Sequence, residues 1–295
     1  MRPRALITGL HSFTGRYLAL ELAAAGYQIC GTTHMRQNCG EGVYAVAMED
    51  RRRVQQVVEE VQPDIVAHLA AVSFVAHGDV EAIYRTNVVG TRNLLEALAA
   101  LEKSPKAVLL ASSANIYGNT RTEVIDETEA AQPANDYGIS KLAMEHVARL
   151  WMEQLPIIIT RPFNYTGVGQ AENFLLPKIV SHYRRRASLI ELGNLDVARD
   201  FSDVRTVAQA YACLLKLAPA GQTFNICSGR AYTLRQILDE VAELAGYRIT
   251  VKVNPAFVRA NEVKILTGNA NKLKACIGDQ PQIAIRETLA WMFNV

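Results

Sequence analysis

The sequence predicts an α/β protein, a parallel sheet with helices on both faces and a smaller lobe drawn mostly from the C-terminal part. Three observations predict it. Short apolar runs rich in β-branched residues alternate with helical patterns through about the first 164 of 295 residues. The helical patterns between them are long enough for crossovers joining parallel strands. After about residue 164 helical stretches mix with short strands, and neither a low-complexity linker nor an internal repeat separates the halves.

RALIT (4–8) reads as a buried strand, and TGRYLALELAAAG (14–26) as an amphipathic helix ended by Gly26. YQICGTT (27–33) and VYAVA (43–47) are the second and third strands. RRRVQQVVEEV (51–61) is a helix that stops before Pro63, and DIVAHLAA (64–71) is a strand. One long helical pattern covers 79–102. KAVLLASS (106–113) is a strand, DYGISKLAMEHVARLW (136–151) a helix and PIIITRPFN (156–164) a strand. In the second half, helices are expected near 173–186, 203–217, 233–245 and 281–293, with strands at LIEL and QTFNI. The chain is expected to cross back to the first sheet at least once.

Composition narrows the class. A hydrophobic share of 49%, a charged share of 20% and a net charge of +2 suit a soluble enzyme, and give no surface for nucleic acid or anionic membrane. The triplets Arg51–Arg53 and Arg184–Arg186 fall in helical patterns and read as solvated faces. Five cysteines without a Cys-x-x-Cys pair suit reduced thiols better than a disulfide framework. The six histidines show no metal-ligand spacing with them, so no metal is expected, and His68 reads as a satisfied core residue. The N-terminus enters a strand directly, without the apolar region of a signal peptide. No apolar run approaches the ~18 residues of a membrane span. A cytoplasmic location is the expectation.

LITGLHSFTGRYL places Gly9 and Gly15 where a strand turns into a helix, so that backbone N–H groups and the helix dipole can meet a pyrophosphate. With this turn the expected fold is a Rossmann-type doubly wound sheet. The dinucleotide domain is expected over 1–163, with roughly 201–227 returning to it. The remaining segments, 164–200 and 228–295, would form the substrate lobe. GTTHMRQ, at the end of the second strand, lacks the acidic residue that binds a ribose 2′-hydroxyl and repels a 2′-phosphate. Arg16 and Arg36 lie near where that phosphate would sit. NADP (as NADPH) is therefore favoured, with NAD as the alternative.

With the turn, HLAA (68–71), NVVGT (87–91), SSANIYG (112–118) and YGISK (137–141) in this order, the chain resembles an extended short-chain dehydrogenase/reductase. The segments TRPFNYTGVGQAENFLLPKIV, IELGNLDVARDFSDVRTVAQAY and VRANEVKILTGNANKLKACIG resemble the branch acting on GDP-linked deoxyhexoses. That branch includes the GDP-mannose 4,6-dehydratases and the GDP-4-keto-6-deoxymannose reductases. The resemblance implies a cofactor site of Gly9, Ser12, Phe13, Thr14, Gly15, Arg16, Arg36, Met48, Leu69, Ala70, Ala71, Tyr137, Lys141 and Pro162. Ser12 departs from the usual glycine, and Ala47 from the usual aspartate that reads the adenine amino group.

Tyr137 and Lys141, at i and i+4, project from one helix face. The resemblance implies that the tyrosine gives a proton to the substrate oxygen and the lysine stabilises the phenolate. It also implies that Ser113 polarises the carbonyl and that Asn87 helps to hold the lysine through water. A phenol of ordinary pKa ~10 begins in the protonated state that ketone reduction needs. Asn115 stands where the dehydratases of the family carry a glutamate that removes the C5 proton, and where an epimerase-reductase relative carries a cysteine. An amide cannot accept a proton at a useful pKa. Phe174 stands where that relative has an acid–base histidine. On the substrate side the resemblance implies Ser73, Ser113, Asn115, Asn164, Asn173, Lys178, Arg199, Arg259 and Glu262. The expected activity is reduction of the C4 ketone of GDP-4-keto-6-deoxy-D-mannose, giving GDP-D-rhamnose or GDP-6-deoxy-D-talose. The alternatives are a dehydratase or epimerase of the same family, or a non-catalytic dinucleotide sensor. The resemblance implies a homodimer through the helices of 87–102 and 140–151, whose apolar stripes suit an ordinary core-facing surface equally well.

Overall fold

The computed structural model describes residues 2–34, 39–73, 78–120, 122–257 and 265–295. In chain order the first half holds β1 (Arg4–Thr8), α1 (Phe13–Ala24), β2 (Gln28–Thr33), β3 (Val43–Ala45), α2 (Arg51–Val61) and β4 (Ile65–His68). Then come α3 (Val80–Tyr84), a π turn (Arg85–Val89), α4 (Gly90–Ala99), β5 (Ala107–Ala111), a 3-10 turn (Ala114–Tyr117), β6 (Val124–Ile125), α5 (Asp136–Arg149) and β7 (Ile157–Pro162). The second half runs β8 (Asn164–Thr166), α6 (Leu175–Arg184), β9 (Leu189–Leu192), β10 (Ala198–Asp203), α7 (Val204–Leu217) and β11 (Thr223–Ile226). It closes with β12 (Ala231–Thr233), α8 (Leu234–Ala245), β13 (Thr250–Val253), β14 (Ile265–Gly268), α9 (Asn271–Ile277) and α10 (Ile285–Asn294).

Seven parallel strands form the main sheet in the order β3-β2-β1-β4-β5-β7-β11. Successive side chains of a strand point to opposite faces, and the central strands are apolar on both. Leu6, Val66, Val108 and Leu110 pack under α2, α4 and α5 with Val54, Val58, Leu94, Leu98 and Met144. Ile7, Ala67, Leu109 and Ile158 pack under α1 and α7 with Leu18, Leu22, Val207, Tyr211 and Leu214. The doubly wound parallel sheet is therefore as the alternation predicts. Strand order reverses between β1 and β4, and at such a switch point a crevice opens beyond the carboxyl ends of the strands.

Beside it lies a second sheet, β12-β10-β14-β6, with β8 added on β10, and a parallel pair β13-β9. β6 belongs to this sheet although it lies well inside the first half of the chain. A separate core of Leu176, Ile179, Val180, Ile237, Leu238, Val241 and Leu289 joins α6, α8 and α10. Most of these short strands carry no clear alternation, and the sequence reading found only β9 and β11 of the second half. The long helical pattern of 79–102 also differs: its middle widens into the π turn that holds Asn87. Among the described residues no helix is long and apolar enough to cross a membrane.

Candidate active site

The carboxyl ends of β1, β4, β5 and β7 lie on one edge because the strands run parallel. After β1 the chain turns at Gly9, whose φ of +71° is in the left-handed region, and enters α1 at Ser12. A Cβ on Gly15 would lie 2.4 Å from the Gly9 carbonyl oxygen, so that position must stay bare. Ser12 has an ordinary φ of −65°, and its hydroxyl accepts the Gly15 N–H at 3.1 Å as the helix N-cap. Serine is thus a natural occupant where relatives have glycine. These features fit a bound pyrophosphate, with bare backbone and α1's N-terminus facing it. Arg16 is exposed near the turn, its guanidinium donating to the Gly169 carbonyl at 3.3 Å. Thr14 shares a 2.8 Å hydrogen bond with Tyr165, which stacks on Phe13. Sequence reasoning passed over Tyr165, although it stands next to Asn164 in the quoted RPFNY stretch.

A hydrogen-bonded chain ties β1 to β4 and to the long helix. The Leu69 and Ala70 N–H groups both donate to Thr8 Oγ1 at 3.1 Å, so the Thr8 hydroxyl gives its proton to His68 Nδ1 at 2.7 Å. Thr91 donates to the Asn87 carbonyl, so its oxygen accepts from His68 Nε2–H at 2.9 Å. The bonds assign His68 the neutral Nε2–H tautomer. Burial and the Lys141 charge lower its pKa to about 3. His68 is a satisfied core histidine, and Thr8, bonded to it, ties down the backbone of Leu69 and Ala70.

Ser113, Tyr137 and Lys141 are brought together at the ends of β5 and α5, all nearly buried. The close approach of the two elements rests on Gly138, where a Cβ would lie 2.7 Å from the Asn115 carbonyl. Asn135 caps α5, accepting the Gly138 N–H at 2.9 Å, and so sets the helix start one residue before Tyr137. Burial raises the Tyr137 pKa, and Ser113's hydrogen bond to it works in the opposite direction. Burial lowers Lys141 to about 8, with nearby Glu145 favouring its charge. Lys141 Nζ donates to the Ala111 carbonyl at 2.7 Å and lies 6.0 Å from the Tyr137 ring centroid. Glu145 itself is held by a two-pronged bond from Arg161, at 3.0 and 2.8 Å, buried with Tyr117. The pair was not legible in sequence, since its members sit on separate elements.

Asn87 is buried in the π turn, and its amide bonds Val72 on both backbone atoms and the Ser140 hydroxyl. It thereby fixes the segment before Ser73, which is exposed at the edge. Asn115 donates from Nδ2 to Ser113 Oγ at 3.1 Å. Leu69, Ala70 and Ala71 are half-buried at the end of β4, and Pro162 is buried at the end of β7. Met48, expected at the cofactor, has its side chain buried. It belongs to the core beneath the sheet, while its carbonyl accepts from Asn93 at 3.0 Å. Burial of an unbranched apolar side chain against α4 accounts for this placement.

Of the residues expected on the substrate side, Asn164, Asn173, Lys178 and Arg199 lie on the second lobe, while Ser73, Ser113 and Asn115 lie at the main sheet's edge. Asn164 is exposed and donates to the Asp200 carbonyl at 3.4 Å. Arg199, on β10, donates to the Ala198 carbonyl at 2.9 Å. Lys178 donates to the Glu191 carbonyl at 2.8 Å and lies 4.9 Å over the Phe257 ring. Asn173 is exposed just before α6, and Phe174 is that helix's cap residue, with no capping bond from its side chain. Arg36, Arg259 and Glu262 lie outside the described residues. Asp200, unremarked in sequence, is the lobe's hub. Its carboxylate accepts from Ser228 N–H and O–H, Gly229 N–H and Gly268 N–H at 2.6–3.2 Å. Burial raises its pKa against these bonds.

A dinucleotide turn facing a buried Ser-Tyr-Lys set defines a short-chain-type oxidoreductase site. The chain belongs to the GDP-mannose 4,6 dehydratase family of extended short-chain dehydrogenases/reductases, whose pattern it matches over residues 6–292. It is 35% identical to the GDP-6-deoxy-D-talose 4-dehydrogenase of Aggregatibacter actinomycetemcomitans, over 82% of each chain. It is 32% identical to the GDP-6-deoxy-D-mannose reductase of Pseudomonas aeruginosa, over 98% of this chain and 95% of that one. The structure of RMD from Pseudomonas aeruginosa complexed with NADPH superposes with a TM-score of 0.87 at 29% identity, covering 99% and 98% of the chains. A crystal structure from Burkholderia cenocepacia, provisionally described as an epimerase, has a TM-score of 0.94 at 50% identity, covering 100% and 98%.

Proposed function

We propose that the protein reduces the C4 ketone of GDP-4-keto-6-deoxy-D-mannose with NADPH, NAD(H) being the alternative cofactor, to give GDP-6-deoxy-D-talose or GDP-D-rhamnose. The observation that carries this reading is an intact Ser113, Tyr137 and Lys141 set beside an amide, Asn115, instead of a carboxylate. The relatives named as a 4-dehydrogenase and a reductase of GDP-6-deoxyhexoses support it.

The nicotinamide, when bound, supplies hydride to the ketone carbon. Tyr137 then protonates O4. Burial keeps its phenol in the acid form at neutral pH, so the proton is present when the alkoxide develops. Lys141 carries its charge below about pH 8 and stabilises the phenolate that remains. Ser113 polarises the carbonyl. Gly9, Ser12, Phe13, Thr14 and Gly15 are assigned to the pyrophosphate. Leu69, Ala70, Ala71, Pro162 and the backbone of Met48 border the rest of the cofactor. Arg16 and Arg36 are assigned to the 2′-phosphate. Arg199, Arg259, Asn164, Asn173, Lys178, Glu262 and Ser73 are assigned to the GDP-sugar, where guanidinium groups can give paired bonds to the diphosphate. On this reading residues 1–163 and about 201–227 hold the cofactor, and 164–200 with 228–295 hold the nucleotide sugar. The protein would act in the cytoplasm as a homodimer.

Mixing the protein with GDP-4-keto-6-deoxymannose and NADPH should consume NADPH absorbance. Tyr137→Phe should slow this by ~10²–10⁴-fold. No consumption with NADPH or NADH overturns the proposal. Conversion of GDP-mannose without added reductant, or enzyme-dependent deuterium at C5 in heavy water, would assign a dehydratase instead. The coupling between sugar H3 and H4 in the product decides between talo and rhamno.

A further inference from the structure

We propose that Asn115 is a positioning residue that makes Ser113 a hydrogen-bond donor only, aimed at the substrate ketone. The inference rests on the reductase reading and adds a residue to it. A serine hydroxyl has one proton and two acceptor lone pairs. Ser113 Oγ accepts from the Asn115 backbone N–H at 3.1 Å and from Asn115 Nδ2 at 3.1 Å. Both lone pairs are then taken, and what the hydroxyl has left to offer is its proton. The Tyr137 phenol adjoins the Ser113 hydroxyl, and a hydrogen bond between them works against the rise in the phenol's pKa that burial causes.

The arrangement is held from outside. Ile116 N–H donates to the Ser113 carbonyl at 3.2 Å, and Gly118 N–H to the Asn115 carbonyl at 3.3 Å, closing the 3-10 turn. Gly138 packs against the same Asn115 carbonyl, which brings the start of α5 close to the turn. The amide therefore acts in two ways at one position. It offers no base for the neighbouring carbon, and it turns the serine proton toward O4. A carboxylate here could only accept, and would draw the Ser113 proton onto itself.

The test compares Asn115→Asp, Asn115→Ala, Ser113→Ala and the Ser113→Ala/Asn115→Ala double variant, using the GDP-4-keto sugar and NADPH. Asn115→Asp keeps the shape and reverses the bond. It should lose about 10²-fold in kcat at pH 8, the scale of one lost donor to a developing oxyanion. It should recover as the pH falls and its carboxyl becomes a donor. Asn115→Ala should lose roughly 10-fold, without that acid recovery, and should add nothing in the Ser113→Ala background. A readout without turnover is the infrared carbonyl stretch of the bound 4-keto sugar with no cofactor present. It should be lowered in the wild type and should shift back in Ser113→Ala and in Asn115→Asp at pH 8. Independent, multiplying losses for the two alanine variants, or no pH-dependent difference between Asp and Ala at 115, overturns the proposal. An inactive wild type would instead overturn the reductase reading.

Discussion

The carboxyl edge of the main sheet and the small sheet beside it are built by opposite means. At the edge, short chain segments do most of the positioning: a turn between Gly9 and Gly15, two residues one helical turn apart, and a serine capping its own 3-10 turn. In the lobe, Asp200 collects donors from residues 28, 29 and 68 positions away, and no local pattern announces it. On the proposed function, the chemistry belongs to the edge, where local turns present the side chains and longer-range bonds such as Lys141 to Ala111 hold them in place. The lobe is held by its own apolar core around Ile179, Ile237 and Leu289 and by the buried Asp200 among short strands.

The largest effect that would break this contrast is on Asp200. Asp200→Ala strands three backbone N–H groups and the Ser228 hydroxyl, and should cost ~3–5 kcal/mol in urea unfolding. A cost below about 1 kcal/mol would mean that the lobe does not depend on its hub.

The edge should respond next, through its two buried bases, and with pH. His68 has its folded pKa lowered to about 3, so between pH 6.5 and 3 the unfolded chain binds a proton that the native state refuses. Stability should therefore fall as the pH drops through that window, by roughly 2 kcal/mol at pH 5. His68→Gln should remove this dependence. Lys141, lowered to about 8 from 10.5, acts in the alkaline window. Its contribution to stability should rise with pH from about 8 to 10.5, because the unfolded chain alone stays protonated there. Activity should move the other way. The kcat/KM for ketone reduction should fall above about pH 8 as the ammonium that steadies the phenolate is lost.

The smallest effect sharpens the comparison. Ser12→Gly restores the family's usual residue at α1's cap and should cost only a few tenths of a kcal/mol in thermal unfolding. Ala in place of Ser12 should cost about 1 kcal/mol.

Legibility followed the same division. The alternation of strands and helices, the glycine turn and the Tyr137/Lys141 pair could be read because each depends on neighbours within a few residues. The π turn around Asn87 could not, since a widened helical turn leaves the apolar pattern of its helix almost intact. Nor could Met48's place in the core, which depends on α4 lying across it. Tyr165 and Arg161 were missed for a related reason. Each finds its partner across a large loop of chain, Tyr165 at Thr14 and Arg161 at Glu145 and Tyr117.

By itself the sequence determined a doubly wound sheet, a glycine turn after its first strand, and Tyr137 and Lys141 on one helix face. These are properties of residue type and short spacing, fixed by backbone geometry wherever the segment folds, whereas the roles proposed for Tyr137, Lys141 and Asn115 come from resemblance to the family. Only the tertiary structure decided which tautomer His68 holds, how far burial lowers Lys141 and what anchors the lobe. Those depend on the donors and low-dielectric surroundings that distant segments supply, and a linear pattern does not contain them.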